Sequence, residues 1–372
     1  MIKYLFANNY KSLVNYKIEF NSLNVLIGKN GSGKTTVINL LTLLRDFIGG
    51  KESNNCFPNI TLTRWMNNNI QTFEMRCLIN DNHYYYHLEI EHNHDNSNPC
   101  IVLNETVKLD EHLLLSCKNG RVDIYNDDFE HLTEIASDMT RSGLNFIFQG
   151  KDNTLLFQFK TNILQNIIIC SPDPKNMNIL STNTIDQAYP DYCLSNIVSV
   201  YAYLSQSSTE TIISLWDKMK EINPNFVKTK ADMAPFGKTL SFEYCYNNQN
   251  KPFYFSELSD GERMMFALYL LLYGFIKKGL TVLIDEPDNY LGLREIKPWC
   301  NELESICIEQ GQCIMISHHP EVIDYFGNDS SIWMSRLQSG ESVIADNPFA
   351  NFKNETGLKY SEIIAGGYLD EI

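Results

Sequence analysis

The 372-residue chain carries 30 Lys and Arg against 45 Asp and Glu, a formal net charge of −15 at pH 7, which disfavours wrapping of nucleic acid by the whole surface and leaves room only for a local basic patch. With 44% hydrophobic and 12% aromatic residues it has the composition of a folded protein. The longest uncharged apolar run, residues 264–276, falls short of the ~20 residues that cross a bilayer, and the first residues hold no apolar signal segment, so no membrane contact is expected. Ten cysteines without a CxxC pair suit reduced, buried thiols and a cytoplasmic setting.

In chain order, Val14, Tyr16, Ile18 and Phe20 alternate with polar residues and predict a half-buried strand, and residues 23–27 predict an apolar strand that ends at Gly28. Between Lys34 and Ile48 the apolar residues Val37, Ile38, Leu40, Leu41, Leu44 and Ile48 recur at helical spacing, and Gly49-Gly50 stops the helix. An Asn-rich loop at 51–69 leads to a hairpin, 72–79 and 84–90, turning at Asn80-Asp81-Asn82, and to a third strand at 101–109. Residues 81–140 hold 13 acidic and 3 basic side chains, whereas residues 1–50 hold 2 and 6, so the charge is segregated along the chain. Residues 141–237 read as a mainly helical insertion, with helices near 193–204 and 209–222 and prolines that break any long heptad pattern. After residue 238 come a strand, a polar turn at 256–261, an apolar helix, and apolar strands at 280–284 and 313–316.

Gly28-Lys29-Asn30-Gly31-Ser32-Gly33-Lys34-Thr35 satisfies GxxxxGK[ST] between a predicted strand and a predicted helix. Glycines in such a loop let backbone N–H groups converge on phosphate oxygens at a helix N-terminus. Gly28, Asn30, Gly31, Ser32, Gly33, Lys34, Thr35 and Thr36 are therefore the candidate nucleotide contacts, with Lys34 reaching the β and γ phosphates and the Thr35 hydroxyl on Mg²⁺. The metal needs a carboxylate. The apolar strand before Asp285-Glu286 supplies one: Asp285 for Mg²⁺, and Glu286 as the base that polarises water.

Leu258-Ser259-Asp260-Gly261-Glu262-Arg263 precedes the apolar helix, and Ser317-His318-His319-Pro320 follows a later strand. With the phosphate loop and the strand-end carboxylates, these motifs make the chain similar to ABC-type ATPases of the RecF-like and SMC-like branch, in the LSDGE form of the signature. The resemblance implies an α/β P-loop ATPase head with an antiparallel β lobe, a helical insertion and no long coiled coil. It is built from residues 1–140, the insertion 141–237 and a C-terminal part 238–372. It implies ATP and Mg²⁺ as cofactors and two heads that sandwich ATP, as a homodimer or higher homo-oligomer. Ser259, Gly261 and Glu262 of one head would cap the γ-phosphate held by the other. His318 matches the switch histidine, Gln71 is the candidate sensing glutamine, and Lys11, in Asn9-Tyr10-Lys11-Ser12, matches a basic residue that approaches the nucleotide. The likeness extends to compact bacterial ATPases related to overcoming-lysogenization-defect, Septu and retron-associated proteins, which implies a nucleotide switch or sensor in antiphage defence with a separate effector, such as a nuclease. Two alternatives stand beside it: a RecF-like DNA-repair ATPase that binds DNA, and an ATP-bound scaffold that holds a partner inactive.

His83, His87, His92 and His94 resemble a ligand cluster, but strand alternation sets His83 and His87 beside Glu89 and Glu91 on a solvated face, and His92 and His94 enter a polar turn. Lys218, Lys220, Lys228, Lys230 and Lys238 are interspersed with acids and read as a solvated face.

Overall fold

The computed structural model describes residues 1–93, 99–178, 180–181, 185–235, 237–327, 330–345 and 358–366. The chain folds as two compact units: Met1–Asn21, Ile27–Ile167 and Ile332–Asn347 form the first, and Ser22–Leu26, Ile168–Ser331 and Pro348–Ile372 the second. The division falls within the strand Leu23–Gly28.

The first unit contains β1 (Ile2–Asn8), β2 (Tyr16–Glu19), the end of β3 (Leu23–Gly28), α1 (Lys34–Ile48), the single-turn α2 (Ser53–Cys56), β4 (Ile70–Ile79), β5 (Asn82–Glu91), β6 (Ile101–Leu109), β7 (His112–Lys118), β8 (Arg121–Tyr125), β9 (His131–Ala136) and α3 (Thr154–Gln165). Its eight-stranded sheet runs β2-β1-β4-β5-β6-β7-β8-β9, antiparallel throughout. Alternation fixes which face is covered: Tyr84, Tyr86, Leu88 and Ile90 of β5 are buried, while the residues between them are partly open. The turn between β4 and β5 is a two-residue loop with Asn80 and Asp81 both left-handed, the geometry that matches the twist of paired strands. Tyr84 and Tyr86 lie against Phe159 of α3, with ring centroids 5.4 and 6.0 Å away. Helix α1 starts and stops where the glycines predict, buries Val37, Ile38, Leu41 and Leu44, and is tied by Arg45 Nη1 to the Ile167 carbonyl at 3.2 Å.

The second unit contains the start of β3, most of β10 (Ile167–Cys170), β11 (Leu180–Ser181), α4 (Ile197–Ser207), α5 (Thr209–Ile222), β12 (Phe226–Ala234), β13 (Gly237–Tyr246), β14 (Gln249–Tyr254), α6 (Asp260–Gly274), β15 (Thr281–Asp285), α7 (Leu293–Glu309), β16 (Gln312–Ile316) and α8 (Pro320–Phe326). The chain then forms the hairpin β17 (Ser331–Arg336) and β18 (Ser342–Ala345), which lies almost wholly in the first unit, and the last described element is α9 (Tyr360–Ala365). Strands β15, β16 and the first four residues of β3 run parallel, with Asp285 opposite Ile316 and Ile316 opposite Leu26. Their sides are covered on both faces, which accounts for the unbroken apolar runs. Helix α6 is buried from Met264 to Gly274, so the long apolar run is a core helix. No helix among the described residues is long and apolar enough to cross a membrane.

The α/β class and the antiparallel lobe agree with the sequence reading, and no long coiled coil occurs among the described residues. Three strands of the lobe, β7 to β9, went unforeseen. In β7 Leu113, Leu114 and Leu115 are consecutive, and a register shift between Val107 and Lys108 of β6 breaks the alternation that would reveal pairing. Strand β9 is exposed along nearly its whole length and so carries no apolar pattern. Residues 141–237 hold α3, α4 and α5 but also β10, β11 and β12, the last paired antiparallel with β13.

Candidate nucleotide site

In the first unit β3 ends at Gly28, and the loop to α1 is shaped by two close approaches. A Cβ on Gly28 would collide with the carbonyl oxygen of Met334, and one on Gly33 would lie 2.5 Å from Ser342 Oγ while Gly33 itself sits at φ 105°. Only glycine fits either position. Lys34 is 5% exposed, and its ammonium folds back over the loop to donate to the carbonyls of Gly28 at 2.8 Å and Lys29 at 3.0 Å. Gly33 caps α1 without a side-chain acceptor, so the N–H groups of the first turn gain no capping bond from it. The Ser32 hydroxyl is buried and finds no hydrogen-bond partner among the described residues. An uncapped helix start, an orphaned hydroxyl and a lysine held over the loop are together the donor set a polyphosphate needs, so the loop fits the nucleotide that the sequence implies. Asn30, Gly31 and Thr35 are exposed and Thr36 is half-buried at the same end of α1.

In the second unit Asp285 closes β15 half-buried, and Glu286 follows in the left-handed region at φ 52°, an uncommon conformation for a glutamate. Two bonds hold it: its N–H donates to the Ile316 carbonyl at 3.0 Å, and its Oε2 accepts from Asn289 Nδ2 at 2.7 Å. Strand register sets Leu26, Ile316 and Asp285 in line, with Ser317-His318 directly after β16 and Glu286 directly after β15. Asp288, 5% exposed, is bonded by the Ser317 side chain and the His319 backbone; burial pushes its carboxyl up to about 6. His318 is exposed, and His319 caps α8 by accepting from the Glu321 N–H at 3.2 Å. Among the described residues no group of three or more His, Cys, Asp or Glu could hold a metal ion.

Ser259 forms a capping box at the start of α6. Its Oγ accepts from the Glu262 N–H at 3.3 Å and donates to Glu262 Oε2 at 2.8 Å, while its own N–H donates to Glu262 Oε2 at 2.9 Å. A plain helix cap has the same geometry. Gly261 lies under the Tyr290 carbonyl, 3.1 Å from where a Cβ would stand, so the signature and residues 287–291 are in contact. Arg263, which the sequence reading left without a role, ties this corner together by donating to the carbonyls of Phe255 at 3.1 Å, Ser256 at 2.9 Å and Pro174 at 3.4 Å.

Gln71 is fully buried in the first unit. Its Nε2 donates to the Asn9 carbonyl at 2.9 Å and the Thr61 carbonyl at 3.1 Å, and its Oε1 lies 2.9 Å from His92 Nε2. Both ends of the amide are thus engaged by the protein. His92 departs from the expected polar turn: it is 1% exposed, held also by Asn59 Oδ1 at 2.8 Å, and burial lowers its pKa to about 4. His94 lies outside the described residues. Lys11 is exposed on a pinned left-handed turn, with its N–H on the Thr61 carbonyl at 2.7 Å and its carbonyl accepting from Thr63 Oγ at 2.8 Å. The five lysines of the diffuse basic stretch each have a carboxylate partner: Lys218 with Glu221 and Glu302, Lys220 with Asp217, Lys228 with Glu243, Lys230 with Asp232, and Lys238 with Asp186. All ten cysteines are free thiols.

Fold and phosphate loop define an ATP-binding P-loop ATPase head. The chain belongs to the family described as "AAA domain, putative AbiEii toxin, Type IV TA system", whose model matches residues 23–74 and 123–324. Its fold is similar to that of SMC heads. An SMC head bound to the C-terminal winged-helix domain of ScpA aligns with TM-score 0.58 and 12% identity over 92% of this chain and 97% of that one. The SMC head domain from Thermotoga maritima gives 0.50 and 15% over 92% and 98%. The Pyrococcus furiosus Smc head with an extended coiled coil, bound to the C-terminal domain of ScpA, gives 0.51 and 13% over 100% and 98%. No curated protein matches the chain.

Proposed function

We propose that this chain hydrolyses ATP with Mg²⁺ at composite sites formed when two copies associate, and that the cycle acts as a nucleotide switch or sensor for a separate effector in bacterial antiphage defence. The observation that carries the reading is the phosphate loop, where Lys34, the uncapped start of α1 and the orphaned Ser32 hydroxyl converge. In this reading the loop residues Gly28 to Thr36 bind and orient the triphosphate. Thr35 and Asp285 hold Mg²⁺, which neutralises charge on the phosphates when bound. Glu286 takes the proton of the attacking water, and its fixed backbone and the Asn289 bond orient the carboxylate for that task. Ser259, Gly261 and Glu262 approach the γ-phosphate of the other copy, and His318, which follows β16, contacts a γ-phosphate and senses its loss. Lys11 reaches the nucleotide from its pinned turn. Gln71 has its amide committed elsewhere, so the sensing function assigned to it requires the Asn9 and Thr61 bonds to open.

The family description names a putative toxin of a type IV TA system, while a separate effector rests on the resemblance drawn from the sequence. The DNA-repair alternative is weakened by the lysines of residues 218–238, all neutralised by carboxylates. Phosphate release from ATP and Mg²⁺ tests the activity: the native chain should turn over, with Lys34→Ala inactive. Turnover equal in both would remove the loop from the reaction, and tight ATP binding without turnover would favour the scaffold alternative.

A further inference from the structure

The hairpin of β17 and β18 belongs to the first unit although more than three hundred residues separate it from the chain's start, and it touches the phosphate loop at both outer glycines. At Gly28 the contact is the Met334 carbonyl of β17; at Gly33 it is Ser342 of β18, whose Oγ and Cβ lie 2.5 and 3.2 Å from where a Cβ would stand. Ser342 is 1% exposed and is bound to one other segment near the loop, the Lys11-Ser12 turn. Its N–H donates to the Ser12 carbonyl at 2.8 Å, and its hydroxyl pairs with that of Ser12 at 2.8 Å. Ser12 Oγ is itself 3.5 Å from the Gly33 position. Two buried hydroxyls, bonded to each other, thus close over the residue whose left-handed conformation turns the loop into α1.

We propose that this hairpin braces the phosphate loop and that Ser342 is a positioning residue for nucleotide binding, acting through Gly33. The Ser12–Ser342 pair holds Gly33 at the angle that directs the first N–H groups of α1 outward to an oxyanion. Without the Ser342 hydroxyl, Ser12 keeps an unsatisfied buried hydroxyl and Gly33 loses its stop, so the donors are no longer pre-organised. The inference rests on the nucleotide reading of the loop and adds to it a residue that no motif contains.

Titration of the full chain with a fluorescent ATP analogue, with Mg²⁺, tests the brace. Ser342→Ala should raise the dissociation constant about tenfold, on the scale of one buried hydrogen bond. Ser12→Ala should do the same, and the double variant should be little worse than either alone, because the two hydroxyls act as a unit. Ser241→Ala, which removes another buried hydroxyl far along the chain, should leave the affinity unchanged and so separate positioning from general loss of stability. If Ser342→Ala does not fold, Ser12→Ala decides. Native affinity in the serine variants, or additive losses in the double variant, overturns the brace and leaves the nucleotide reading standing. No binding by the native chain, with Lys34→Ala indistinguishable from it, overturns both.

Discussion

The phosphate loop and the signature turn are both helix starts, and they are finished differently. At α1 the cap is a glycine, the serine hydroxyl is orphaned and the lysine leans on backbone carbonyls, so the local chemistry is complete only with an anion. At α6 the cap is Ser259, and every donor it offers is taken by Glu262, so the turn is complete without a ligand. The first site is built to bind. The second has to open its capping box before the Ser259 hydroxyl can donate elsewhere.

The largest effect that would sharpen this contrast is Lys34→Ala. It should weaken ATP binding by roughly a hundredfold, the value of charge-assisted bonds to phosphate, and abolish turnover with it. Native affinity in isothermal titration would erase the distinction. Next comes Glu286→Gln, which keeps the charge-free shape and should cut turnover by roughly 10² while ATP still binds, as expected for loss of a positioned base. Ser259→Arg should also block turnover but leave the affinity of a single head for ATP near native, as the proposed action of the signature on the other copy's nucleotide requires. Loss of ATP binding in that variant would place both motifs in one site on one chain. Ser259→Ala is a smaller change: removal of the cap should lower stability by about 1 kcal/mol in urea unfolding, with no effect on ATP affinity.

Asp288 predicts a pH dependence. Its folded pKa of about 6 exceeds the unfolded value of 3.8, so the folded state holds its proton longer. Stability from this group is therefore fully present below about pH 4, declines as pH rises toward 6, and is lost above it. Asp288→Asn should remove that slope and stabilise the fold by about 2–3 kcal/mol at pH 7, measured by denaturant unfolding at several pH values. An unchanged slope would mean that the carboxylate is solvated.

Local patterns made much of this legible. The α1 helix was readable because glycines bound it and its apolar residues keep one face, and the β4–β5 hairpin because strict alternation meets an Asn-Asp turn. The phosphate loop was readable because its chemistry is contiguous. What escaped depends on distance in sequence or on backbone angle. Ser342 and Ser12 meet only in the folded chain, Glu286 gives no sign of its left-handed conformation, and Arg263 reads as a surface charge until its three carbonyl partners are seen. Gln71 and His92 look like exposed polar residues at the ends of strands, yet they share one buried network. Strand β12 is half-open without a clean alternation, and β14 is exposed along nearly its whole length, so no apolar period marks them.

The central claim, that ATP joins the phosphate loop of one copy to the signature of another, is tested most directly by the solution mass of Glu286→Gln from light scattering. With ATP and Mg²⁺ the uncleaved nucleotide should hold the chain as a dimer or larger assembly, and with ADP or no nucleotide the mass should fall to that of the smaller species. A mass that is the same with ATP, with ADP and without nucleotide would contradict the account.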